Sequence, residues 1–336
     1  MNKNLTIAIP TINRPLLIKK LLINLHTQIK KYNLFDSTEI VVSDNSSNKE
    51  TEIIVNDLIK SFDLKIFYTK NVNINKSKSQ AHSFDSNVDN LFKNSNSKYI
   101  WVVGDDDFIS DNAIFIINKI IQDNNYTFTN IYIDSLKPFT DIPNDIITDN
   151  KNEFCKITEF RSGHITANVF NRELWLKNIS ELDYGSGWIH IIYLIKNLGK
   201  EKSYIYRDSL KDEYINFDKY KNDKKYKKVF NNNYYFLAFL NNLELLHSMK
   251  NFNFDKKIVD YAFSLQYKNF TYTILSFKLK GLEINLKLLK KFLTATRNLG
   301  IFKYYYLFVF ILVPKWILKL IKDKLILHKL GILNHD

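Results

Sequence analysis

Residues 99–107 read YIWVVGDDD. Tyr99–Val103 is an unbroken apolar run that stops at Gly104 and the three carboxylates of Asp105, Asp106 and Asp107. A short continuous run with such a stop predicts a strand buried on both faces of a parallel sheet. The pattern recurs upstream at Leu5–Pro10 (LTIAIP), Glu39–Ser43 (EIVVS) and Lys65–Tyr68 (KIFY). Between the first two, Pro15–Tyr32 has apolar residues at 17, 18, 21, 22 and 25, the spacing of an amphipathic helix. A polar turn, Asp44–Asn48, leads into a second helix through Phe62. After a polar stretch, Lys70–Asp85, residues 84–93 predict a third. Strands alternating with helices imply an α/β fold with right-handed crossovers. Ligands of such sheets sit at the carboxyl ends of the strands. That places Pro10–Arg14, Asp44–Ser46 and Asp105–Asp107 on one rim.

Downstream, strands are expected at Asn130–Asp134 and Ile165–Phe170, with a polar loop over 140–152 between them. Trp188–Leu198 reads as a helix stopped by Gly199. The charged stretch Lys211–Lys228 reads as a surface linker, and the chain beyond Asn231 is helical in pattern. Two domains are expected, 1–210 and a basic helical region over 211–336.

The chain's 336 residues, 45% hydrophobic and 25% charged, exclude small-scaffold and disordered classes. A single cysteine, Cys155, excludes an intrachain disulfide and a cysteine-based zinc site. The N-terminus does not resemble a secretory signal, and no apolar run reaches the ~20 residues of a membrane span, so a cytoplasmic protein is expected. The net charge of +13 is unevenly distributed: residues 1–150 hold 16 Lys/Arg and 18 Asp/Glu, and residues 151–336 hold 32 and 17. Only five basic residues are arginine, the side chain whose fork reads phosphate and guanine, so no nucleic-acid partner is expected. A lysine-rich half suits an anionic membrane surface.

Three adjacent carboxylates after a hydrophobic strand are costly without a cation, and hard oxygen ligands select Mg²⁺ or Mn²⁺. The alternative is a solvated acidic turn capping the next helix. Asp44 suits either hydrogen bonds from a base or ribose, or an Asx turn. Pro10-Thr11-Ile12-Asn13-Arg14-Pro15 suits either a helix start or a nucleotide-facing loop with Arg14 near phosphate. His164 and His190, near Arg161, Asp183 and Trp188 in sequence, are candidates for a base or a metal ligand, or are structural histidines.

IAIPTINRP, EIVVSDNSS and YIWVVGDDD, in that order and at ~30- and ~60-residue intervals, are similar to the opening of family 2 glycosyltransferases with the GT-A fold. The later Ser186-Gly187-Trp188-Ile189-His190 segment resembles the abequosyltransferase-like branch, which builds bacterial surface polysaccharide. The resemblance covers residues 5–200 and implies a GT-A, Rossmann-like, mostly parallel sheet flanked by helices, with a helical C-terminal region. It implies that Pro10, Thr11 and Arg14 surround the nucleotide, with Asp44 on the base. Asp105 and Asp106 match the aspartates nearest the ribose and the metal-bridged diphosphate, with Asp107 an adjacent candidate. Asp106 and Asp107 are thus the expected ligands of Mn²⁺ or Mg²⁺. One departure concerns the base. The Glu-Asp pair that most members carry before the glycine-ended helix falls here on Gly187 and Trp188. His190 is the natural substitute, with Asp183 the runner-up, and a metal-ligand role for His190 stays open.

The activity so implied is metal-dependent, inverting transfer from a nucleotide-sugar donor to a glycan or polyprenyl-linked acceptor in O-antigen, capsule or other surface-polysaccharide synthesis. The alternatives are a nucleotidyltransferase, which would want a glycine-rich phosphate loop where IPTINRPLL has none, and a non-catalytic basic protein binding membranes or polyanions.

Phe302–Val313 is strongly apolar but too short to span a bilayer. After Pro314, residues Trp316, Ile317, Leu320, Ile321 and Leu325 interleave with Lys315, Lys319, Lys322, Lys324 and Lys329. That is the pattern of a basic amphipathic helix lying in a membrane plane, or of a final helix covering the core. With the resemblance, it places the protein peripherally on the inner face of a bacterial membrane. Apolar helices near the C-terminus also leave room for self-association.

Overall fold

The computed structural model describes residues 4–62, 66–71, 79–107, 109–133, 145–207, 232–268, 270–279, 281–314 and 317. The chain forms two compact units, Met1–Val229 and Phe230–Asp336.

In the first unit, β1 (Leu5–Thr11) lies between β2 (Thr38–Asp44) and β4 (Tyr99–Val102), and β3 (Ile66–Lys70) flanks β2, all parallel. Helices α1 (Pro15–Lys31), α2 (Glu50–Ser61) and α3 (Gln80–Lys93) make the crossovers. The register aligns the strand ends: Thr11 pairs with Asp44, and Ala8 with Val102. Three residues past Val102, Asp105 therefore comes level with Thr11.

The eight-stranded sheet runs β3-β2-β1-β4-β7-β5-β8-β6, continued by β5 (Phe128–Ile133), β6 (Asp145–Thr148), β7 (Asn168–Asn171) and β8 (Lys202–Tyr206). It is mixed, since β7 runs antiparallel between β4 and β5, and β6 runs antiparallel on β8. The strand expected over Ile165–Phe170 begins late. Ala167 N–H bonds the His164 carbonyl at 3.0 Å, closing a 3₁₀ turn over Ile165–Ala167 before β7 starts. The polar loop expected over 140–152 contains β6, an edge strand, where polar outward residues are tolerated. Helix α5 (Lys151–Thr158) follows, with the Asn150 side chain accepting from the N–H groups of Asn152 and Glu153.

Leu5, Ile7 and Ile9 alternate toward a core shared with α1, α2 and α4 (Ala113–Asp123). A second core joins Phe92 of α3, Trp175 of α6 (Arg172–Asn178) and Tyr193 of α7 (Ile189–Asn197), with Phe92 and Trp175 stacked at 3.7 Å.

The described part of the second unit is helical: α8 (Asn232–Ser248), α9 (Lys256–Tyr267), α10 (Phe270–Leu279), α11 (Leu286–Ala295) and α12 (Phe302–Leu312). Phe236, Leu240, Phe270, Ile274 and Phe292 are fully buried among them. Among the described residues no helix is long and apolar enough to cross a membrane. The expected linker over Lys211–Lys228, much of the stretch Lys70–Asp85 and, Ile317 apart, the amphipathic helix after Pro314 lie outside the described residues.

Candidate functional site

Helix α1 opens with Pro15, whose missing N–H costs nothing in a first turn. Arg14, the residue before it, makes no side-chain cap. Its guanidinium crosses to the end of β4, where Nη1 lies 2.8 Å from Asp105 Oδ1 and 3.0 Å from Asp106 Oδ2. Thr11 Oγ1 donates to the other Asp105 oxygen at 2.7 Å. Burial pushes the Asp105 carboxyl up to about 6, against the opposing pull of Arg14. Asn13, in the left-handed region at φ 52°, donates its N–H to Ser46 Oγ at 2.7 Å, tying this loop to the one after β2.

Asp107 faces another way. Thr166 Oγ1 donates to its Oδ2 at 2.5 Å and accepts from Gly104 N–H at 3.1 Å. The Thr166 carbonyl is held by Trp101 Nε1 at 2.8 Å, and His164 Nε2 is 3.4 Å from Asp107 Oδ2. An added Cβ at Gly104 would come 3.0 Å from Asp107 Oδ2 and 3.1 Å from Asp106 Oδ1. The triplet does not cap the next helix, α4, which starts at Ala113 with Asn112 as its N-cap.

Asp44 is fully buried, and both its oxygens are engaged. Ser46 N–H donates to Oδ1 at 2.7 Å, closing the Asx turn, and Tyr68 OH donates to Oδ2 at 2.8 Å, which together with burial drives the phenol's pKa up. Pro10 sits within β1, paired with Ser43.

His190 is buried in the first turn of α7, its Nε2 2.9 Å from the Gly163 carbonyl. A carbonyl only accepts, so Nε2 carries the proton in the neutral ring. Nδ1 finds no hydrogen-bond partner among the described residues. Burial lowers the His190 pKa to about 4. Asp183 closes a capping box with Ser180 and pairs with Lys196 Nζ at 2.5 Å. Neither residue is bonded to the aspartate triplet, although His190 is linked to it through Gly163, the neighbour of His164.

Asp85, on α3, has no counterpart in the sequence reasoning. Fully buried, it accepts from the N–H groups of Gly185 at 2.8 Å, Gly187 at 2.9 Å and Ile189 at 3.2 Å. Gly185 and Gly187 have φ of 107° and 75°, backbone conformations that favour glycine. One turn along α3, Asp89 takes Tyr184 OH at 2.5 Å and Trp175 Nε1 at 2.8 Å. Helix α3 thus fixes the segment before His190 through two carboxylates. The Gly-x-Gly spacing was a signal, but the acceptor lay 100 residues upstream. Thr166 was equally illegible, as a polar residue inside an apolar stretch.

The rim gathers carboxylate oxygens, the donor type a hard divalent cation takes, and the Arg14 guanidinium already lies against two of these carboxylates. Among the described residues no three ligating side chains converge. Mg²⁺ and Mn²⁺ sites commonly use one or two carboxylates and complete the shell with phosphate and water. Asp106 and Asp107 are the residues that would supply them.

Residues 6–176 match the model of the family described as glycosyl transferase family 2. Over 179 residues the chain is 26% identical to abequosyltransferase RfbV of Salmonella typhimurium, covering 53% of this chain and 43% of that one, so the chain spans less than half the length of this relative. Two solved structures share the fold. One is S. aureus TarS 1–349 in complex with UDP-GlcNAc, with a TM-score of 0.55 and 12% identity over 88% of this chain and 80% of that one. The other is the mannosyltransferase PcManGT from Pyrobaculum calidifontis in complex with GDP-Man and Mn²⁺, with a TM-score of 0.54 and 14% identity over 92% and 86%.

Proposed function

We propose, from the premise that this chain belongs to glycosyl transferase family 2, that it transfers a sugar from a nucleoside-diphosphate donor seated at the carboxyl ends of β1, β2 and β4. The observation that carries this reading is the meeting of Thr11, Arg14, Asp105 and Asp106 at one strand rim. An arginine at the strand rim with part of its side chain still exposed puts positive charge where a diphosphate would lie. Asp105 lies on the ribose side and holds Thr11 and Arg14 in place there, and Asp44 with Pro10 lines the base side, Asp44 acting through the turn it holds.

The divalent metal is part of this proposal. Held by Asp106 and Asp107, Mg²⁺ or Mn²⁺ would supply positive charge against the departing diphosphate. The chain's own residues do the rest. Arg14 holds phosphate charge that grows as the sugar–phosphate bond breaks. The acceptor hydroxyl attacks the anomeric carbon from the opposite face, giving inversion, and its proton passes to a base. His190 is put forward for that role, with Nδ1 the ring nitrogen open to a proton because Nε2–H is committed to Gly163; in this conformation that atom is buried, which lowers its basicity. Asp183, engaged by Lys196 and Ser180, is second.

The similarity to an abequosyltransferase supports a bacterial surface glycan as acceptor, O-antigen or capsule, carried on a polyprenyl lipid at the inner face of the membrane. The lysine-rich end after Pro314 supports the same location. The test is release of nucleoside diphosphate from a panel of UDP-, GDP-, CDP- and dTDP-sugars. One donor should be turned over by the wild type and left intact by Asp105→Asn, with circular dichroism unchanged. Turnover unaffected by Asp105→Asn would refute the assignment of the site.

A further inference from the structure

Helix α12 turns an apolar row outward. Ile301 (78% exposed), Tyr304 (57%), Tyr305 (56%), Phe308 (57%) and Leu312 (58%) recur at three- and four-residue spacing and share one face. The opposite face packs inward: Tyr306 meets the Phe270 ring edge-on at 4.8 Å, and Val309 is buried. The row contains no charge.

A second observation concerns the end of the same helix. The last four carbonyls of a helix need water or a cap. Here Lys278, buried on α10, places Nζ 3.2 Å from the Val309 carbonyl and 3.5 Å from that of Ile311. These carbonyls are satisfied from within the protein by a cation, which also suits the negative end of the helix dipole. A helix end entering a water-poor phase needs its polar groups satisfied in this way.

Charge selects the occupant. Residues 230–336 carry 16 Lys/Arg against 6 Asp/Glu, and residues 315–336 alone carry five Lys against two Asp. Two copies joined through this face would bring like charges together, whereas anionic headgroups would attract them. Eleven residues rise only about 16 Å, so the helix would lie along a bilayer surface rather than cross it.

We propose that the outward face of α12 docks on an anionic lipid bilayer, with Tyr304, Tyr305 and Phe308 entering the boundary between headgroups and acyl chains. The proposal deepens the membrane-side reading above and does not depend on the donor. The wild-type chain and the variant Tyr304→Ser/Tyr305→Ser/Phe308→Ser are sedimented with phosphatidylcholine vesicles, with and without phosphatidylglycerol. Leu182→Ser, which removes a 97% exposed leucine from the first unit, is the control. The wild type and control should partition onto the phosphatidylglycerol vesicles, and the triple variant should lose at least about tenfold in partitioning. Circular dichroism and nucleotide-induced stabilisation, read without vesicles, should be the same for all three proteins. A wild type left in the supernatant, or a triple variant that partitions like it, overturns the proposal. So does a concentration-dependent dimer that the triple variant abolishes without any vesicle binding. Loss of nucleotide stabilisation in the wild type with vesicle binding intact would sink the donor reading and leave this one standing.

Discussion

Arg14 Nη1 lies 2.8 Å from Asp105 Oδ1, a contact across 91 residues that fastens the first strand–helix loop to the end of β4. Asp105 is nearly inaccessible, while Arg14 keeps 24% of its side chain exposed. The pair therefore combines a desolvated acceptor with a cation that still reaches solvent. That combination suits an arginine that shares its charge between the protein and an anionic ligand.

Replacing Arg14 by Met leaves the buried Asp105 without its cation. The expected cost is about 1–3 kcal/mol in urea unfolding, together with loss of nucleotide binding. Arg14→Lys should recover most of the stability but little of the binding, because an ammonium lacks the planar fork. Equal recovery of both would show that only charge matters there.

Thr166→Val preserves shape but deletes the hydroxyl between Gly104 N–H and Asp107. The folded variant should bind Mn²⁺ with nucleotide about 10-fold more weakly, as when a partner that orients a ligand is removed. Calorimetric titration reads this directly, and an unchanged affinity would remove Asp107 from the site.

His190 is held neutral, with its pKa lowered from 6.5 to about 4. Below pH 6.5 the unfolded chain binds a proton that the folded chain refuses, so stability falls as pH drops from 6.5 toward 4. The loss should approach about 3 kcal/mol. His190→Asn lacks this term, so the stability gap between wild type and variant should narrow on acidification. A gap of constant size between pH 7 and pH 4.5 would contradict the buried neutral ring.

Asp85 titrates with the opposite sign. Burial raises its pKa from 3.8 to about 6, so its contribution is fullest below pH 4 and is lost as pH rises through 6. Asp85→Asn, which cannot accept at both former carboxylate oxygens, should fold and still bind nucleotide but raise the KM for acceptor, since the Gly185–Ile189 segment loses its anchor. Rescue by Asp85→Glu is not expected at a fully buried position. If Asp85→Asn weakened donor and acceptor binding equally, its role would be general to the fold.

The parallel half of the sheet was legible because Leu5–Pro10, Glu39–Ser43 and Tyr99–Val103 are apolar without alternation, the mark of strands covered on both faces. Their polar ends followed from topology. Strand β7 was legible within the run Ile165–Phe170, but its late start after a 3₁₀ turn and its antiparallel place between β4 and β5 were not, since neither leaves a local pattern. Strand β8 and helix α4 went unmarked for want of strong flanking signals. In the site, Thr11, Arg14 and Asp105 converge as the order of motifs implied, but the inward turn of Asp44 onto Tyr68 and the anchoring of α7 by Asp85 depend on contacts no local pattern encodes.

The central claim, a nucleotide-sugar site at the ends of β1, β2 and β4, is tested most directly by thermal unfolding with UDP, CDP, GDP and dTDP, each with and without Mn²⁺. A ligand at ~100 times its dissociation constant that binds only the native state adds about 2.7 kcal/mol. The account predicts that one nucleotide raises the melting temperature in the presence of Mn²⁺ and that Asp106→Ala abolishes the shift. No shift with any nucleotide, or a shift that survives Asp106→Ala undiminished, would contradict it.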